Sequence, residues 1–243
     1  MSYNDGHNGF SNSESSKGNY QQRSGGYQNN GGGYNNNGGG WQKKAPVDRD
    51  VPLPEPVFYK PYAVVGNKEF PSDLIPKLTS IVKKLDSLGY TARTGSMKGL
   101  DVEVETITTN VELQLPWKNF NNKESKNTFS SPEILALAKS FQPGFEELAL
   151  PIKGFLAKNV RVLLGSKGIS RAIFLLCHSE DGVDTARQVT SRTASVGHAI
   201  KVADKFNIPV FNLKNPNVEE QLMSYLNAQN DTIRPVLCDD LPD

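Results

Sequence analysis

From residue 62 onward, short apolar runs alternate with longer segments whose apolar positions recur at helical spacing, as when strands and helices alternate around a parallel sheet. The run at 62–65 reads as a first strand closed by Gly66. After Pro71 and Ser72, the positions Leu74, Ile75, Leu78, Ile81, Val82, Leu85 and Leu88 predict a helix that Gly89 ends. A second strand at 90–93 leads through a glycine-containing loop to a helix starting near Asp101, whose carboxylate suits an N-terminal position. A third strand is predicted at 112–115 and helices at 132–140 and 152–164. The most apolar run, at 172–177, predicts a central strand buried on both faces. A long polar loop, a helix at 196–206, a strand at 210–213 and a helix at 218–226 complete the pattern. The chemistry is therefore expected in the loops that follow the strands, where ligands sit in an open parallel sheet.

Outside this region the pattern disappears. Residues 1–46 hold 11 of the 21 glycines and 9 asparagines and almost no aliphatic residues, so they cannot bury enough apolar surface to offset their backbone entropy. This segment is read as a disordered tail. Tyr20, Tyr27, Tyr34 and Trp41 stand seven residues apart, with Arg23, Lys43 and Lys44 nearby. The tail is either a flexible string of stacking side chains for single-stranded nucleic acid or other tails, or a solubilising linker. Residues 47–61 are proline-rich and read as a stiff spacer. Residues 62–228 form the folded domain. Residues 229–243 form an acidic tail ending in Asp239, Asp240, Leu241, Pro242 and Asp243. It reads as a frayed terminus or as an acidic lure for partners.

The whole chain has 243 residues and a formal net charge of +1, so nucleic-acid binding would have to come from local patches rather than a global positive field. Cys177 and Cys238 offer neither a disulfide framework nor a zinc spacing, which points to a reducing, cytoplasmic setting. No run approaches the roughly 18 apolar residues needed to cross a bilayer, so no membrane partner is expected.

Two loops carry candidate phosphate chemistry. Gly95, Ser96, Lys98, Gly99 and Asp101 lie directly before a helix, where backbone donors and the helix dipole suit an anion. The hydroxyl-rich stretch Thr190-Ser191-Arg192-Thr193-Ala194-Ser195-Val196-Gly197-His198 approaches a second helix in the same way. His178 is placed at a strand end and His198 in a first helical turn, where the dipole favours its neutral form. Neither has a partner at metal-ligand spacing. Trp117 is a stacking candidate or a lid over the sheet edge.

The ordered set Val64-Val65-Gly66-Asn67-Lys68, then Gly89-Tyr90-Thr91-Ala92-Arg93-Thr94-Gly95-Ser96-Met97-Lys98-Gly99-Leu100-Asp101, resembles the opening of the SLOG superfamily, which includes DprA, YpsA and the LOG proteins. Leu115-Pro116-Trp117-Lys118-Asn119-Phe120, Lys158-Asn159 with Leu163-Leu164-Gly165, and Gly197-His198-Ala199-Ile200 before Ile208-Pro209-Val210-Phe211-Asn212-Leu213 resemble a poorly characterised branch often carried by phages. The likeness spans residues 62–213. It implies a Rossmann-like, doubly wound, mostly parallel α/β domain that binds a nucleotide-derived ligand or nucleic-acid phosphates. A bound nucleotide and a homo-oligomer are implied too, as is the host cytoplasm if the chain is phage-borne. The implied ligand-binding residues are Gly66, Asn67, Lys68, Arg93, Thr94, Gly95, Ser96, Lys98, Gly99, Asp101, Trp117, Lys158, Asn159, Thr193, Ser195, Gly197 and His198.

The departures from the pattern bear on function. The second loop loses two glycines to Ala194 and Ser195, which removes space for close backbone approach to a phosphate. Where the LOG enzymes carry a glutamate near the sugar, alignment on Gly197 places Lys201. A lysine cannot stabilise an oxocarbenium-like state as a carboxylate does. Three functions therefore stand beside one another. The leading one is non-catalytic binding of a nucleotide or single-stranded nucleic acid. The second is a nucleotide N-glycosidase-like hydrolase drawing its acid or base from Asp101, Glu103 or Glu180. The third is an assembly scaffold acting through its tails. Deleting residues 1–46 separates the first from the third, because binding in the loops survives that deletion.

Overall fold

The computed structural model describes residues 59–128 and 130–232. The glycine-rich segment with its aromatics, most of the proline-rich spacer, Cys238 and the acidic end lie outside the described residues.

Five strands form one sheet in the order β3-β2-β1-β4-β5, and every pairing is parallel. They are β1 (Lys60–Gly66), β2 (Tyr90–Thr94), β3 (Val111–Leu113), β4 (Leu175–His178) and β5 (Val210–Asn212). The helices are α1 (Ile75–Ser87), α2 (Leu100–Ile107), α3 (Pro132–Ser140), α4 (Leu150–Leu164), α5 (Val196–Lys205) and α6 (Val218–Thr232). The domain is an α/β, Rossmann-like, doubly wound fold. Alternation along β1 shows why both faces are covered. Tyr62 and Val64 pack with α1, α2 and α6, whereas Ala63 and Val65 pack with α3, α4 and α5.

The strand expected at 172–177 begins later, at Leu175. The Ala172 N–H still bonds to the Leu163 carbonyl at 2.7 Å, so the chain stays tied to the end of α4 before it aligns with β1. The final helix runs to Thr232, beyond the 226 that the apolar periodicity predicts.

Successive strands step outward from β1 in one direction and from β4 in the other. The crevice between the carboxyl ends of β1 and β4 is thus the topological switch point, where such sheets receive ligands. Gly66 pairs with His178 across this point.

Candidate functional site

A cavity of about 370 Å³ opens at that switch point. Val65 and Gly66 at the end of β1 form its floor, Phe155, Leu156, Lys158 and Asn159 of α4 one wall, and Ser195, Gly197, His198 and Lys201 at the start of α5 another. Of the implied ligand-binding residues, six line it: Gly66, Lys158, Asn159, Ser195, Gly197 and His198.

Lys158 dominates the electrostatics. It is 2% exposed, and among the described residues no hydrogen bond or ion pair reaches its side-chain nitrogen. Burial lowers its pKa, opposed by the Asp101 charge and reinforced by Arg161. Its stem lies against Gly95, where a β-carbon would sit 2.2 Å from Cδ. The glycine at 95 therefore makes room for a lysine rather than for a phosphate.

The loop around Gly95 is closed by its own carboxylate. Asp101 Oδ2 accepts from the Gly95 N–H at 3.0 Å and the Met97 N–H at 3.3 Å, which takes up donors the sequence reading had assigned to phosphate. Asp101 Oδ1 is buried and without a partner, and desolvation raises the carboxyl's pKa. Glu105 collects the hydroxyls of Thr94 and Ser96 and the ammonium of Lys123. Ser96, at φ 53°, also accepts at its carbonyl from Asn121 at 2.6 Å. Gly99, at φ 97°, meets the backbone of the loop after β1, where a β-carbon would come 2.2 Å from the Asn67 carbonyl oxygen. Asn67 Oδ1 is buried without a partner, while Lys68 and Lys98 are exposed.

Arg93 does not line the cavity. Its guanidinium donates to the Ser170 carbonyl at 2.8 Å, the Val162 carbonyl at 3.4 Å and Glu112 at 3.1 Å, under the end of α4. The Tyr59 hydroxyl accepts from it at 2.9 Å, and burial lowers its pKa to about 10. It is a clamp between β2 and the turn after α4. Trp117 does not line the cavity either. Its ring packs on Phe120 and Phe155, with centroids 4.9 and 5.1 Å away, and Phe155 is the aromatic that faces the cleft.

On the second loop, Thr193 donates to Asp181 at 2.6 Å and accepts from the Thr190 N–H at 3.0 Å, so its hydroxyl is occupied. Ala194 lines the cavity at φ 51°, ψ −138°, a conformation that favours glycine. The glycine-like backbone survives the loss of the glycine. Gly197 is needed for packing, because a β-carbon there would lie 2.6 Å from Val189 Cγ1. Asn159 Nδ2 donates to the Ser195 carbonyl at 3.3 Å and fixes this loop to α4. His198 Nε2 sits 3.1 Å from the Ala138 carbonyl, so it donates there and leaves Nδ1 as a buried, unpartnered acceptor. Desolvation, more than the helix dipole, keeps it neutral, with a pKa of about 4.

Sequence reasoning missed Phe155, Met97 and Gln142 as cavity walls. Met97 lies within the loop motif before α2 without being singled out, whereas no local motif marks Phe155 or Gln142; the packing of α4 and the turn after α3 brings those two to the cleft. Lys201, singled out as the residue in the glutamate's place, does line it. His178 lies at the end of β4 with its ring edge-on to Phe70, both nitrogens unpartnered and its pKa lowered chiefly by burial. Among the described residues no His, Cys, Asp or Glu cluster could hold a metal, and no helix is long and apolar enough to cross a membrane.

No family model matches the sequence, and no curated protein matches it. Among solved structures, DNA processing protein A from Helicobacter pylori, described for its single-stranded DNA binding mode, is similar at 12% identity. The alignment covers 72% of this chain and 82% of that one, with a TM-score of 0.43.

Proposed function

We propose that the protein binds a nucleotide-derived anion in the switch-point cavity, without turning it over. The observation that carries this reading is Lys158, a buried amine with no partner of its own, in the same cleft as the amino end of α5. An amine on the cavity wall with no protein partner is available to a ligand's acceptor, and the first turn of a ten-residue helix favours negative charge. Phe155 and Leu156 supply apolar surface beside these polar groups, a mixture suited to a ligand with a phosphate and a flat ring. His198 Nδ1 adds an acceptor. Lys68 and Lys98, exposed on adjoining loops, would serve the phosphates of a single-stranded nucleic acid whose end enters the cleft.

The hydrolytic reading gains no support from the geometry. Asp101 is committed to the loop amides, and Asp101, Glu103 and Glu180 are absent from the cavity lining.

Native mass spectrometry of the full chain with nucleoside monophosphates and a short single-stranded oligonucleotide tests the proposal. A nucleotide-sized mass is expected on the wild type. Ser195→Asp keeps a residue suited to a helix start but sets a negative charge where the anion would lie, and it should abolish retention. Equal retention by that variant refutes the assignment.

A further inference from the structure

We infer that Lys158 is a carbonyl-reactive amine, and that the cavity accepts a small phosphorylated aldehyde whose carbonyl carbon it captures as an imine. The inference rests on the proposed anion seat at α5 but not on a nucleotide as the ligand.

Three independent features of the site meet at this nitrogen. Lys158 lines the cleft of about 370 Å³ together with Met97, Phe155 and Leu156, so its side chain sits among apolar groups. Its stem is immobilised against Gly95, leaving little rotamer freedom to lose when a bond forms. Among the described residues it forms no ion pair, and Asp101 Oδ2 is held by the Gly95 and Met97 amides. A desolvated lysine in such surroundings gives up its proton readily and becomes a nucleophile. The direction of its pKa shift agrees.

The chemistry closes without a further reagent. The uncharged nitrogen attacks the aldehyde carbon, forming a C–N bond and a carbinolamine. The oxygen then leaves as water together with the nitrogen's two hydrogens, and a C=N bond remains. The phosphate of the same molecule takes the positive end of α5, where Lys201 also lines the cleft. A phosphorylated aldehyde presents both groups in a molecule small enough for this space. An aldehyde without the phosphate has only the amine to hold it.

The full-length protein is treated with glyceraldehyde 3-phosphate and cyanoborohydride, then digested and its lysines read by mass. Reduced adduct is expected at Lys158 at several times the mean of the other lysines, because its side chain is buried in the cleft that also holds the amino end of α5. The adduct should fall with unphosphorylated glyceraldehyde and disappear in Lys158→Arg, while urea melts of that variant report whether it folds. Labelling spread evenly over the surface lysines, or equal labelling by the two aldehydes, overturns the inference. Retention of nucleotides without preferential labelling at Lys158 removes this inference alone. Phosphate-dependent labelling without nucleotide retention upholds it and removes the nucleotide reading instead.

Discussion

Lys158 lies across Gly95 so closely that a β-carbon at 95 would come 2.2 Å from its Cδ. One residue on β2's trailing loop thus fixes the position of the amine on α4, and the two can be separated experimentally. Gly95→Ala should destabilise the domain by about 1–3 kcal/mol through overpacking. It should also weaken ligand retention more than its stability loss explains, because the stem must leave its place. Urea melts paired with native mass spectrometry check this. Full retention by the folded variant would show that the placement of Lys158 is not critical.

Arg93 behaves oppositely. Its guanidinium is 1% exposed and bonds to Ser170, Val162 and Glu112. Arg93→Ala should cost about 3–5 kcal/mol, since the Ser170 and Val162 carbonyls lose the guanidinium and the Glu112 carboxylate loses its cationic partner. The remaining folded protein should bind ligand normally. A variant of native stability with impaired binding would place Arg93 in the binding site instead.

Ala194 lines the cavity in a conformation that favours glycine. Ala194→Gly should raise stability by about 1 kcal/mol by relieving this strain, and Ala194→Val should lower it. The midpoint of thermal unfolding reads both.

Acid should weaken the fold through His198. Burial holds its pKa at about 4 against an ordinary 6.5, so on lowering the pH the unfolded chain takes up the proton first. Stability contributed by the neutral ring is therefore complete above about pH 6.5 and is lost as the pH falls towards 4, by about 3 kcal/mol in all. His178, whose pKa is also lowered, acts in the same direction. Comparing urea midpoints at neutral and mildly acidic pH for the wild type and His198→Gln isolates the one ring. An unchanged pH slope in the variant would contradict the assignment.

Sequence periodicity alone determined the succession of strands and helices, because amphipathic spacing reports which side of each element is buried. It also marked Gly66 as the end of β1, while the hydroxyl-rich residues 190–198 marked the start of α5 as a ligand approach, and both line the cavity. A likeness in short motifs drew attention to Lys158 and Asn159, which sit on a helix with no local signal of chemistry.

Tertiary structure decided which of these groups remain available. The Gly95 and Met97 amides are spent on Asp101, and Thr193 on Asp181. Arg93 is drawn under α4 by Ser170, 77 residues away along the chain. A hydrogen-bonding group is free or satisfied according to partners that long-range packing brings to it. Residue types in a loop show that donors exist, while the fold settles whether they are still open to a ligand.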